Sequence, residues 1–316
     1  MPGSTPATYR QSHEGFAVFG AETGELSSVA TSLGAAPTMA LAGKCDLPEI
    51  DDVRNPAVDH AVGSYQGVDI IKGGREPMAR LNMRIGEKTL LQNGLRTSGL
   101  GGVIGLPIFS FAGGAISNYE SSHAFNFILR YALINSVSMQ IQEKQPITAS
   151  VEMWGHAIQT GGSARSVTQS SLEVLAKTLT WRNFYFLING VSYRDVIASV
   201  SLNWSNGLAR IGERNDEGDN NDMSGISYSI MPGLETVNVS YQMHDKLPDS
   251  LIRATQNSTN WGAVVIKGDD SAAGGSNVVT LTISNNMFAR QGMQGIQPGQ
   301  PMRFNTNTTS RVLSLT

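Results

Sequence analysis

From Ser136 to Gln142 the chain alternates apolar and polar residues. Val137, Met139 and Ile141 fall on one face of an extended strand, and Ser136, Ser138, Gln140 and Gln142 on the other. After the polar turn Glu143-Lys144-Gln145-Pro146 the alternation resumes, with Ile147, Ala149, Val151 and Met153 set against Thr148, Ser150 and Glu152. Two such runs predict a long β-hairpin with one buried face. The pattern recurs where Ala198, Val200, Leu202 and Trp204 alternate with Ser199, Ser201 and Asn203, and Asn206-Gly207 then predicts a turn into Leu208–Ile211. Upstream, Phe184–Ile188, Asn189-Gly190 and Val191–Tyr193 predict a tighter hairpin, because Asn-Gly supplies the positive φ angles of a type I′ turn. Further strands are predicted at Phe16–Phe19, Met78–Ile85, Val237–Met243, Ala263–Lys267, Asn277–Ile283 and Arg311–Leu315.

Helical signals are few. Pro248-Asp249 suits a helix start and leads into Leu251, Ile252 and Ala254. A second short helix is predicted over Glu87–Asn93, stopped by Gly94 in the left-handed cap position, while Ser171–Leu179 reads equally as helix or strand. The order of pieces repeats: the strand Arg80–Ile85, the turn Gly86-Glu87-Lys88 and a helix return as the strand Val237–Met243, His244-Asp245-Lys246 and a helix. That repetition predicts two related domains, 1–160 and 180–316, joined by a linker at 161–179 whose first part is small and polar. Residues 36–77, rich in Pro and Gly, lack periodicity and read as long ordered loops. Thr97–Tyr119 is uncharged and apolar enough to suggest a membrane span. Its glycines at 99, 101, 102, 105, 113 and 114 favour an apolar-tipped loop or extended hairpin instead.

Composition narrows the function classes. Of 316 residues only 16% are charged, against 40% hydrophobic, where roughly a quarter charged is usual. A surface made of Ser, Thr, Asn, Gln and Gly can be covered by another copy without stripping water from many ions. A net charge of −3 gives no global positive field for tight DNA binding. The opening residues lack the apolar core of a signal peptide, so synthesis in a cytoplasm is expected. The single cysteine, Cys45, excludes an internal disulfide and any cysteine-cluster metal site.

Candidate chemistry is sparse. The five histidines, His13, His60, His123, His156 and His244, show no short ligand spacing. No Gly-x-Ser-x-Gly elbow occurs, and the glycines near 99–105 lack the Lys-Ser/Thr of a phosphate-binding loop. Neither a catalytic constellation nor a cofactor is expected. The segment from Glu213 to Asp222 is rich in carboxylates and reads as a solvated acidic loop, with calcium binding and repulsion of DNA phosphates as alternatives. Four tryptophans, Trp154, Trp181, Trp204 and Trp261, would serve a glycan-binding β-sandwich if they were exposed.

Phe186–Tyr193, the strand through Trp204, the return Leu208–Gly212 and the run Pro232–Val239 together resemble the major tail tube subunits of long-tailed, non-contractile bacteriophages. Val278–Ile283 and Gly292–Pro301 fit the same layout, and Gly15–Trp154 resembles it more loosely. The resemblance implies a mainly β fold of two β-sandwich or half-barrel domains, each flanked by a short helix, whose inner sheets join those of neighbours into a lumen barrel. It also implies a virion tail component in which three copies make a pseudo-sixfold ring and rings stack head to tail. The implied partners are further copies of the chain, other tail proteins (tape measure, terminator and distal tail protein) and double-stranded DNA passing non-specifically, with no membrane. Within that frame the hairpins 133–155 and 196–211 are assigned to the lumen sheets. Ser138, Gln140, Thr148, Ser150, Ser199, Ser201 and Asn203 become the lumen-facing residues. Loops 36–77 and 97–119 become candidates for ring-to-ring contact, with Ile104, Leu106, Ile108 and Phe109 at the tip; the alternative is that Phe109 and Phe111 fold onto their own core. Other β-structured tail parts, a terminator or a contractile-tail tube, share much of this pattern.

Overall fold

A computed structural model describes residues 15–22, 39–54, 57–59, 69–71, 75–96, 105–115, 127–160, 178–213, 227–231, 233–244, 263–269, 278–284, 286–293, 303–310 and 312–316. They are mainly β. The first half runs β1 (Gly15–Ala21), β2 (Ala40–Leu41), β3 (Lys44–Cys45), β4 (Glu49–Arg54), β5 (Ala57–Asp59), β6 (Asp69–Ile71), β7 (Arg75–Arg84), one helical turn α1 (Thr89–Gln92), β8 (Phe109–Ala115), β9 (Phe127–Gln142), β10 (Thr148–Trp154) and β11 (Ala157–Thr160). The second half runs β12 (Phe184–Ile188), β13 (Val191–Ser192), β14 (Ile197–Ser205), β15 (Ala209–Glu213), β16 (Ser227–Met231), β17 (Thr236–His244), β18 (Val264–Asp269), β19 (Val278–Ser284), β20 (Met287–Met293), β21 (Arg303–Ser310) and β22 (Val312–Leu315).

One antiparallel sheet crosses both halves in the order β4-β7-β10-β9-β14-β17-β21-β20. A second layer forms from β2-β1-β8-β9-β11 in the first half and β13-β12-β18-β19-β22 in the second. The sixteen-residue β9 serves both layers: Phe127–Ala132 pairs with β8 and β11, and Leu133–Gln142 with β10 and β14. Tyr131, just before the change of sheet, holds a left-handed φ of 51°, a local distortion of the sort that bends a strand out of one ladder and into another.

The strand order of the long sheet occurs twice. Numbered along the chain, β4, β7, β9 and β10 stand first, second, fourth, third, and β14, β17, β20 and β21 repeat that arrangement. The second layer repeats as well, β1-β8-β9-β11 against β12-β18-β19-β22. Between the first two strands of each set stands a two-stranded arm, β5–β6 and β15–β16. The segments Arg80–Ile85 and Val237–Met243, alike in their apolar–polar alternation, contribute to the second strand of each set.

Alternation explains the layers. Val137, Met139, Ile141, Val151, Val200, Leu202, Trp204, Val237, Val239 and Tyr241 are all at most 2% exposed and point inward from the long sheet. Phe184, Phe186, Ile266, Leu281 and Ile283 meet them from the second layer, in one cluster that runs through both halves. The Phe186 and Tyr241 rings, 5.4 Å apart and edge-on, join the layers. Each fully buried side chain of this size contributes about 1.5–3 kcal/mol relative to exposure.

Several expectations are corrected. Asn206-Gly207 does not fold the chain back on β14: β15 pairs with β16, and β14 pairs with β9 and β17. The Asn206 side chain instead donates to Gly94 O (2.9 Å) and Ile134 O (2.8 Å), which carries the chain out of the sheet rather than around a hairpin. Within 97–119, residues 109–115 form β8, inside a layer between β1 and β9. The stretch 36–77 holds the short strands β2 to β6, which its prolines and glycines keep too brief for visible periodicity. Gly94 is not a left-handed cap; its backbone packs where an added Cβ would lie 3.2 Å from both Ile134 Cγ2 and Trp204 Nε1. The Asn189-Gly190 hairpin forms as read, with φ of 50° and 80° and Ile188 opposite Val191. The helix expected from Pro248, residues 161–177, the acidic residues 214–222 and Ile104 lie outside the described residues. Among the described residues no helix is long and apolar enough to cross a membrane.

Candidate functional site

Among the described residues, the outward face of the long sheet is the most regular surface. On β9, β14, β17 and β21 every position on this face, from Ser136 to Gln142, Ser199 to Ser205, Thr236 to Gln242 and Asn305 to Thr309, is Ser, Thr, Asn or Gln. All seven polar residues predicted from sequence lie on it: Ser138 opposes Ser150 and Asn203, Gln140 opposes Thr148 and Ser201, and Ser199 opposes Gln142 and Gln242. Gln140 Nε2 donates to Ser201 Oγ at 2.7 Å and Thr309 Oγ1 to Asn238 Oδ1 at 3.0 Å. Side chains on neighbouring strands therefore partner each other while keeping donors and acceptors toward solvent.

Charge on this face lies toward its two ends: in the first half Glu49 opposes Arg80, Arg80 opposes Glu152, and Lys44 opposes Arg84, and at the other end Arg290 stands opposite Asn307. Arg80 Nε lies 3.9 Å from Glu152 Oε2. Glu152 is further tied by hydrogen bonds from Asn135 Nδ2 (2.8 Å) and Trp154 Nε1 (2.9 Å).

The seam between the halves, β9 against β14, is locked from outside the sheet. Asn206 N–H donates to Asn135 O at 2.8 Å, and Arg96 Nη2 donates to Asn206 O (2.9 Å) and Gly233 O (2.6 Å). The arm β15–β16 reaches across the seam. Arg210 Nη2 donates to Pro77 O at 2.6 Å, its Nη1 lies 3.2 Å from Glu76 Oε2, and its guanidinium sits 4.7 Å from the centre of the Trp154 ring. Leu208 and Ile230 from the base of that arm pack with Leu106 and Leu133 of the first half.

Of the residues expected to contact another ring, Phe109 is 1% and Leu106 4% exposed, and Ile108 is partly buried in the cluster that holds the second-half arm. Phe109 and Phe111 fold onto their own core, Phe109 edge-on to Phe19 at 6.3 Å. The tryptophans supply no sugar platform among the described residues: Trp204 is buried, Trp154 lies under Arg210, and Trp181 stacks on Phe184 at 5.6 Å. A deeply buried ion pair, Arg130 with Glu22 at 2.6 Å, lies in the second layer; Arg130 also donates to Gln159 at 2.7 Å, and Ser110 donates to Glu22.

Sequence reading missed the contribution of β21. Its buried positions are Thr306, Thr308 and Ser310, so the apolar half of the alternation is absent and the run Asn305–Ser310 reads as a polar loop. Ser310 donates to Ser284 O, which lets its hydroxyl sit in the core. No protein-family model matches the chain, and no curated protein matches it.

Proposed function

We propose that this chain is the major tail tube protein of a long-tailed bacteriophage, a structural subunit without catalytic or cofactor chemistry whose copies form rings that stack into a conduit for DNA. One observation carries the reading: the strand order β4-β7-β10-β9 is followed, in the same sheet, by its repeat β14-β17-β21-β20. The sheet is apolar on its inner face except along β21, and its other face is neutral polar across the four strands β9, β14, β17 and β21. Each set stands for one tube domain of sandwich type, and the seam β9–β14 is the domain-to-domain contact of a continuous barrel.

Three copies, each bringing eight strands, would close a barrel of twenty-four. At about 4.8 Å between strands and a tilt near 40°, the backbone diameter is roughly 50 Å, a bore wide enough for duplex DNA after side chains are subtracted. This face becomes the lumen wall, neutral polar over β9, β14, β17 and β21. It offers water-like hydrogen-bonding groups to the passing duplex and none of the dense positive charge that would hold phosphates in place.

Negative-stain electron microscopy of the purified, concentrated protein tests this directly. Hollow tubes with a regular axial repeat, or discrete rings of three copies, are the expected result. A protein that stays monomeric at every concentration and with purified tail-tip complexes present overturns the reading.

A further inference from the structure

The long sheet ends in two edges that pair with nothing further among the described residues, β4 on one side and β20 on the other. An open pair of edges this long invites pairing with another chain. The internal seam supplies the template, because it joins the fourth strand of the first set, β9, to the first strand of the second, β14. The free edges are the same two kinds: β20 occupies in the second set the place that β9 has in the first, and β4 the place of β14.

The repeat also gives the register. Superposing Lys88 on Lys246 puts Arg80 on Asn238, and the buried positions agree, Leu81 with Val239, Met83 with Tyr241 and Ile85 with Met243. Glu49 opposes Arg80 as Asn203 opposes Asn238, so Glu49 takes the place of Asn203. On the other side the row Asn82-Ser150-Ser138 matches the row Ser240-Asn307-Arg290, so Arg290 takes the place of Ser138. Ser138 opposes Asn203 across the internal seam.

We infer that β20 of one copy pairs antiparallel with β4 of the next, in the register that sets Arg290 opposite Glu49 and Met287 opposite Asp51. The partner is a second copy of this chain, and the inference rests on the self-assembly reading above. Charge supports the choice: in this register the acidic edge residues Glu49 and Asp51 meet the strand that carries Arg290, and Glu49 lies between Arg80 of its own copy and Arg290 of the next. Each end of the sheet also leaves a large apolar side chain in the open, Leu47 at 49% and Met287 at 68% exposed, and a neighbouring copy covers both. The internal seam, which needs no charge because the chain itself holds its strands together, carries only Ser, Asn and Gln at the equivalent positions.

Disulfide mapping reads the register. In a Cys45→Ser background, Glu49→Cys with Arg290→Cys is oxidised and run on a non-reducing gel beside two register-shifted pairs, Leu47→Cys with Arg290→Cys and Asp51→Cys with Arg290→Cys. A ladder of linked copies from the first pair, several-fold stronger than from either shifted pair, is expected. Alongside, Glu49→Lys and Arg290→Glu should each raise the concentration needed for assembly by about tenfold, and the double exchange should restore it. A stronger ladder from a shifted pair, or no ladder from any pair, overturns the inference. Wild-type tubes without the Glu49–Arg290 ladder would sink the register and leave the tube reading standing. A strong ladder in oligomers that form neither tubes nor rings of three copies would do the reverse.

Discussion

Asn206 shows how much one polar side chain can hold in place. Fully buried, it donates from Nδ2 to Gly94 O and Ile134 O, and its backbone oxygen receives Arg96. Replacing it with Ala leaves two backbone acceptors of the first half without their donor, and Asn206→Ala is expected to cost about 2–4 kcal/mol in chemical denaturation. Gly207 beside it has φ of +56°, and an added Cβ would lie 2.7 Å from Leu234 O, so Gly207→Ala should destabilise as well. Two titrating groups give predictions with a sign. Burial, with Asp46 nearby, pushes the Cys45 thiol up to about 12, so it stays protonated at pH 8 and should resist alkylation until the protein unfolds. Burial also raises Tyr241 above its ordinary value of 10.0. The folded state then holds this proton more tightly than the unfolded chain, so its stabilising effect is complete below pH 10 and lost as pH rises beyond it. The denaturation midpoint should fall above pH 10, and less steeply in Tyr241→Phe.

At the scale of elements, β8 changes what a loop deletion means. An apolar loop at 97–119 invites removal of Gly101–Gly114 as a way to block stacking while leaving a folded subunit. Residues 109–114 instead form most of a strand hydrogen-bonded on both sides, with Phe109 and Phe111 in the core. The deletion is therefore expected to abolish folding, visible as loss of the cooperative unfolding transition. The arm β15–β16 offers a cleaner cut. Arg210→Ala removes the contacts to Glu76, Pro77 O and the Trp154 ring, and it should cost about 1–3 kcal/mol, by the loss of a charge-assisted bond and a cation–π contact. The inner strands β7, β9, β10, β14 and β17 were legible because their buried positions are apolar at period two. β21 was not, since Thr306, Thr308 and Ser310 fill its buried side and the signal depends on a contrast in polarity.

At the scale of the whole molecule, the neutral lining makes its own prediction for the assembled protein. Duplex DNA should show no measurable binding by fluorescence anisotropy at about 50 mM salt. The triple variant Ser138→Lys, Ser201→Lys, Asn238→Lys should bind it with a strong inverse salt dependence, since each neutralised phosphate steepens the slope. Tight, salt-dependent binding by the unmodified protein would contradict the proposed lumen face.

What the sequence determined by itself was local. Alternation marked most of the inner strands and the polar residues that share their outward face, Asn189-Gly190 set a hairpin, and the likeness of Arg80–Ile85 to Val237–Met243 pointed to a repeat. These properties belong to neighbours in the chain, where side-chain periodicity and turn geometry act directly. Only the tertiary structure decided which strands pair. It joined β9 to β14, sent Asn206-Gly207 out of the sheet instead of around a hairpin, drew Phe109 and Phe111 into the core and left β4 and β20 as the open edges. Strand pairing is a choice among distant segments with similar backbone hydrogen-bonding capacity, and the packing of buried faces across both layers selects among them.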